Sequence, residues 1–162
     1  MLYGIINTEN KFREGNAKRM SPETKQSYIV SPNDFLSAGA VSEDIKTKLS
    51  EMNTDTEIIR KATLAVYETE LNMIIHANGG LIEVSISPDV LTVEASDNGP
   101  GIADPEMAMS DGYTTVSPDS EVRAHGIGNG RGFSKIRQCT DNFEIETELG
   151  CGTTIRFEIY LR

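Results

Sequence analysis

Glu68 and Asn72 stand four residues apart in a stretch, residues 58–75, that is otherwise largely apolar. On a helix they lie about 40° from each other on one stripe, and His76 continues it. Burying a carboxylate and an amide without partners costs on the order of a few kcal/mol each, so this pair needs something to bind. Glu70 points roughly 200° away from Glu68 and cannot share that stripe. A second patch is Asp97-x-Gly99-x-Gly101, directly after an alternating strand. Glycines there let the backbone approach a flat ligand closely, and a carboxylate at a strand end can accept a hydrogen bond from an exocyclic amine. The third patch alternates Gly126, Gly128, Gly130 and Gly132 and runs into a helical stretch. A glycine-rich backbone leading into a helix N-terminus offers convergent N–H donors and a favourable dipole for phosphate. No Gly-Lys-Ser/Thr follows, so it is not a Walker loop, and no strand leads directly into it as a dinucleotide fingerprint requires. Taken singly, the three patches also read as a polar stripe at a solvent edge, a tight turn and a mobile loop.

The elements that must position these residues follow from periodicity. Residues 27–30 read as a short first strand, and residues 31–34 as a turn and helix cap. Residues 35–52 have helical spacing, with Phe35, Ala38, Val41, Ile45 and Leu49 on one face. After a second cap at residues 53–56, residues 57–77 form a helix that is apolar on several sides and therefore central. Gly79 and Gly80 end it. Residues 81–87 and 90–95 alternate as a hairpin. A short helix is expected over 105–110, a polar loop over 112–125 and a helix over 133–140. Residues 142–148 and 153–161 make a closing hairpin around Gly150 and Gly152. Adjacent antiparallel pairs with helices to one side predict an α+β two-layer sandwich, not a doubly wound parallel sheet.

At 162 residues the chain fits one compact domain. Residues 1–27 are polar and without pattern, and are read as an arm preceding a domain over 28–162. The formal net charge of −10 argues against direct nucleic-acid binding. Arg123, Arg131, Lys135 and Arg137 nevertheless face only Glu121 between residues 121 and 137, a local basic stretch suited to a small anion. No apolar run reaches membrane-spanning length, and the start lacks the basic flank of a signal peptide, so a cytoplasmic location is expected. Cys139 and Cys151 form no CxxC pair, and His76 and His125 have no metal-ligand spacing.

Together the patches are far more specific. Glu-x-x-x-Asn, then Asp-x-Gly-x-Gly, then a Gly-x-Gly loop, then Gly152-Thr153-Thr154 resembles the GHKL ATPase superfamily over about residues 28–162. Glu68 and Asn72 match its N box. Asp97, Gly99 and Gly101 match the first glycine box, and Gly128, Gly130 and Gly132 the second. The size implies none of the large additional domains of gyrase, mismatch-repair or chaperone members, and no phosphoacceptor hairpin. Residues 68–76, Thr114-Thr115 with Arg123, and residues 130–133 are similar to bacterial anti-sigma factors of the sporulation and stress-response type. Those are serine/threonine kinases that phosphorylate a small anti-anti-sigma (STAS-type) partner.

The resemblance implies the roles. Asp97 holds the adenine amino group of ATP, with Gly99 and Gly101 allowing close approach. Asn72 ligates Mg²⁺, and Glu68 is the general base for a serine hydroxyl. Thr114, Thr115, Gly128, Gly130, Gly132 and Thr153 line the phosphates and lid, and Arg123 touches phosphate or partner. Arg131 stands where the family carries an apolar residue, and either adds a phosphate contact or alters the lid. The implied partners are an anti-anti-sigma protein and a sigma factor, with homodimerisation by family analogy. Two other readings remain open: a nucleotide-gated binding module without kinase activity, and a stand-alone GHKL ATPase or orphan histidine kinase catalytic domain.

Overall fold

A computed structural model describes residues 4–7, 23–114, 116–119 and 130–162. Its sheet has six strands: β1 (Gly4–Asn7), β2 (Thr24–Val30), β3 (Gly80–Ile86), β4 (Val90–Asp97), β5 (Asn142–Glu148) and β6 (Gly152–Tyr160). They run in the order β1-β5-β6-β4-β3-β2, and every neighbouring pair is antiparallel. The helices are α1 (Ala40–Glu51), α2 (Thr56–His76), the single turn α3 (Pro105–Ala108) and α4 (Gly132–Cys139). This is the two-layer α+β sandwich expected from the pattern. None of the helices among the described residues is long and apolar enough to cross a membrane.

Alternation along the strands sorts the faces. Register aligns Ile82, Ala95, Ile155 and Ile145 in one row, and Val84, Val93, Phe157 and Phe143 in the next. All eight are buried and share one core with Ile45 and Leu49 of α1, Ala62, Ala65 and Val66 of α2, and Ile136 of α4. The opposite face is charged: Arg156 binds Glu94 through Nε at 2.6 Å and Glu146 through Nη1 at 2.9 Å.

Two boundaries differ from the sequence reading. β2 begins at Thr24, so the division drawn after residue 27 falls inside a strand, and Gly4–Asn7 of the segment read as an arm pairs with β5. Both are edge strands, and β2 opens on exposed polar residues whose strand character comes from pairing with β3. α1 begins at Ala40, five residues later than its periodicity indicated. Asn33 and Gly39 take left-handed backbone angles, and Asp34 Oδ1 accepts the Ser37 N–H at 3.2 Å in a local turn. Phe35 and Leu36 are therefore exposed and do not join the core.

The cap of α1 also comes from a distance. Its N-cap, Gly39, has no side chain to offer. The buried Glu70 carboxylate of α2 instead accepts the N–H groups of Val41 and Ser42 at 3.1 and 3.0 Å. α2 is capped as expected, by Asp55 Oδ1 on the N–H of Glu57 at 2.9 Å.

Candidate functional site

β4 ends on Asp97, and the parity that buries Leu91, Val93 and Ala95 turns Asp97 toward the helical layer. Its neighbours across the sheet are Gly80 and Thr153, and Thr153 in turn pairs with Thr147. This row lies beyond the apolar core rows, at the end of the sheet where α2 stops. Asp97 Oδ1 accepts the Gly99 N–H at 2.7 Å. Burial pushes the Asp97 carboxyl above its ordinary range, and the N–H groups of Gly99 and Thr153 offset only part of that rise.

The loop after β4 is held by close approach. A Cβ on Gly99 would lie 2.9 Å from Ala77 Cα, so the loop packs directly on the end of α2. A Cβ on Gly101 would lie 2.3 Å from the Glu148 carbonyl oxygen, which seats the loop on the β5–β6 turn. The Gly150 N–H donates to the Pro100 carbonyl at 2.9 Å. Thr147 Oγ1 accepts the Ile102 N–H at 2.9 Å and lies 3.0 Å from Thr153 Oγ1. Thr147 is a positioning residue that the sequence reading missed. The signal was there: it is a polar residue at an inward position of β5, after Phe143 and Ile145.

Between this loop, α2, α3 and the start of α4 lies a cavity of about 380 Å³, within the size range of small-molecule sites. Glu68, Asn72 and His76 present one stripe of α2 to it, as their spacing required. Asp97, Gly101, Thr114, Gly130, Gly132 and Thr153 also reach its wall. The rest is mainly apolar, including Ile102, Ala108, Phe133 and Leu149. Gly99 supports the wall from behind. Arg131 is exposed at the N-cap of α4, away from the cavity lining. Thr115, Arg123 and Gly128 lie outside the described residues.

Three features bear on ligands. Among the described residues, the buried Asn72 Nδ2 atom has no hydrogen-bond partner, and a Cβ on Gly132 would stand 2.9 Å from Asn72 Oδ1. An orphaned amide on a cavity wall is costly unless something else satisfies it. Glu68 is buried and pairs through Oε1 with Lys135 Nζ at 2.5 Å. Burial lowers the pKa of His76, so a neutral imidazole is favoured at the Ala77 end of the stripe. The two ends of the segment between α3 and α4 meet where the Gly112 N–H donates to the Gly130 carbonyl at 2.8 Å.

Residues 58–162 match the family described as histidine kinase-, DNA gyrase B-, and HSP90-like ATPase. An anti-sigma F factor of Clostridium acetobutylicum is 36% identical over 111 residues, spanning 65% of this chain and 73% of the relative. One from Thermoanaerobacter pseudethanolicus is 33% identical over 117 residues, spanning 69% and 77%. The serine/threonine-protein kinase RsbT of Bacillus subtilis is 27% identical over 138 residues, spanning 83% and 94%.

Proposed function

The chain belongs to the histidine kinase-, DNA gyrase B-, and HSP90-like ATPase family, and from that premise we propose that it is an ATP-binding anti-sigma regulatory factor with serine/threonine protein kinase activity. The observation that carries this reading is the convergence of Asp97, Asn72 and Glu68 on one cavity, beside the glycine that opens α4. Asp97 accepts a hydrogen bond from the adenine amino group. Gly101 and the Thr147–Thr153 hydroxyl pair keep the wall next to it fixed. Gly130, Gly132 and the first turn of α4 offer backbone N–H groups to the phosphates.

Asn72 is the side chain that would hold Mg²⁺ through its amide oxygen. Among the described residues there is no cluster of three or more His, Cys, Asp or Glu side chains able to cage a metal. The Asn72 oxygen would contribute one ligand to such an ion, with phosphate and water supplying other oxygens. Bound in this cavity, ATP would supply the phosphoryl group and Mg²⁺ would supply charge neutralisation for its transfer. Glu68 would orient the serine hydroxyl of the partner and take its proton as the serine oxygen bonds to the γ-phosphorus and the bond from that phosphorus to the β–γ bridging oxygen breaks, leaving ADP. Thr114 and Thr115 are assigned to the phosphates, Gly128 and Gly130 to the lid, and Arg123 to phosphate or partner, whereas Arg131, exposed outside the cavity lining, takes no phosphate contact here. The protein substrate is a small anti-anti-sigma protein of the STAS type, and a sigma factor is the regulated partner. The chain acts as a homodimer in the cytoplasm.

Calorimetry of ATP binding with and without Mg²⁺ tests the site. The wild type is expected to bind tightly only with Mg²⁺, and Asn72→Ala to lose that dependence. Glu68→Ala should bind ATP and transfer phosphate to the STAS-type partner on the order of 10²–10⁴-fold more slowly. Transfer at the wild-type rate would refute the role of Glu68 as base. ATP binding and partner capture without any transfer would make the protein a nucleotide-gated binding module.

A further inference from the structure

Lys135 sits on the second turn of α4, three residues after Gly132. One helical turn carries it along the face that Gly132 sets against Asn72. Glu68 is one turn from Asn72 on α2, so two contacts form successive steps along the α2–α4 seam: Gly132 with Asn72, and Lys135 with Glu68. The second contact is unequal. The Glu68 side chain is 11% exposed and the Lys135 side chain 37%, so the carboxylate on the cavity wall is confined while the lysine keeps access to solvent beside it.

The cavity has a direction. Asp97 and Gly99 close it at Ala77, at the end of α2. Glu68 lies eight residues back from His76, roughly 12 Å at a rise of about 1.5 Å per residue. A nucleotide whose amine meets Asp97 therefore points its phosphates toward Glu68 and Lys135. A terminal phosphate carries a charge of about −1.5 to −2 near neutral pH, against a single charge on a carboxylate. Lysine is a compact point charge on a flexible stem, and Coulomb attraction grows with the charge it meets.

We propose that Lys135 is an ATP-sensing residue: it pairs with Glu68 in the nucleotide-free protein and moves to the terminal phosphate of ATP, releasing the Glu68 carboxylate. This rests on the ATP-binding reading above. ADP lacks the terminal phosphate and leaves the pair in place. One side chain then both distinguishes ATP from ADP and withholds Glu68 until ATP is bound.

The test is calorimetry of Mg²⁺–ATP and Mg²⁺–ADP on the full chain, for wild type, Lys135→Met and Lys135→Arg. Wild type is expected to prefer ATP. Lys135→Met should lose about tenfold in ATP affinity, a difference of about 1.4 kcal/mol, with ADP affinity unchanged. Lys135→Arg should recover most of the preference. ADP binding also reports that each variant is folded, and Lys135→Gln replaces the methionine variant if that one does not fold. An equal loss for both nucleotides, or no loss for either, overturns the proposal while ATP binding itself stands. Failure of the wild type to bind either nucleotide is a separate result, and it refutes the ATP-binding reading together with the inference.

Discussion

Replacing Glu70 by alanine should cost the fold about 3 kcal/mol and leave the nucleotide site intact. Glu70 is 2% exposed, and its carboxylate is the acceptor for two N–H groups at the start of α1, at 3.1 and 3.0 Å. Val41 and Ser42 are 5% and 4% exposed, so water cannot easily take its place. A hydrogen bond to a charged group contributes about 1.5–3 kcal/mol, and the lower figure for each of the two gives about 3 kcal/mol. The favourable charge at the helix N-terminus adds about 0.3–1 kcal/mol. Typical domains have about 5–15 kcal/mol in total, so the variant folds with a narrow margin. With a urea dependence of about 2 kcal/mol per molar, the unfolding midpoint falls by about 1.5 M. Glu70→Gln keeps one acceptor oxygen and should lose roughly half as much. ATP calorimetry on the folded variants should match wild type, because Glu70 faces α1 and Glu68 faces the cavity. A Glu70→Ala variant within about 0.5 kcal/mol of wild type, well below the range for such bonds, would show that the carboxylate does not hold α1.

Asp97→Asn should weaken ATP binding yet stabilise the nucleotide-free protein at neutral pH. The folded Asp97 carboxyl is raised by burial, so its ionised form opposes folding. That opposition is complete above the raised value and disappears as pH falls through the ordinary carboxylate range. The urea midpoint of the variant should exceed that of wild type near neutrality and converge with it in acid, and an advantage that grows on acidification contradicts the argument. Gly152→Ala should be far worse than Gly150→Ala. Both glycines have left-handed backbone angles, but a Cβ on Gly152 would lie 2.0 Å from the Asp97 carbonyl oxygen, while nothing lies within 4 Å of one on Gly150. Gly150→Ala then costs the backbone penalty alone, about 1–2 kcal/mol. Gly152→Ala must also displace Asp97, with lower thermal stability and weak nucleotide binding, and equal melting temperatures for the two variants would refute the contact.

Much of this arrangement was legible because its signals are local. The Glu68–Asn72 stripe, the Asp55 cap, the inward parity of Asp97 and the glycines around both loops each follow from a few neighbouring residues. What was not legible depends on distant partners. α1 starts late because its cap is supplied by Glu70, 28 and 29 residues further along. Periodicity also counted Phe35 into the helix, although the chain turns at Asn33 and Gly39 before α1 forms. β2 opens on polar residues and becomes a strand by pairing with β3. Lys135 read as one member of a basic stretch, and only the α2–α4 seam distinguishes it from Arg131, which is exposed away from the cavity wall.

The two ends of the cavity are held by different parts of the fold, and this difference bears on regulation. Asp97 is fixed by sheet register, by a loop packed on Ala77 and Glu148, and by the threonine pair, all of it backbone-anchored. Among the described residues, Glu68 is held by Lys135, on a short helix that begins at a glycine. A ligand that fills only the adenine end meets a preformed surface and leaves the α2–α4 seam as it was. A ligand that also carries a terminal phosphate competes for the cation that crosses the seam. On the proposed reading, the position of Lys135, and through it the freedom of Glu68, would be set by the far end of the nucleotide, and affinity for the base by the sheet.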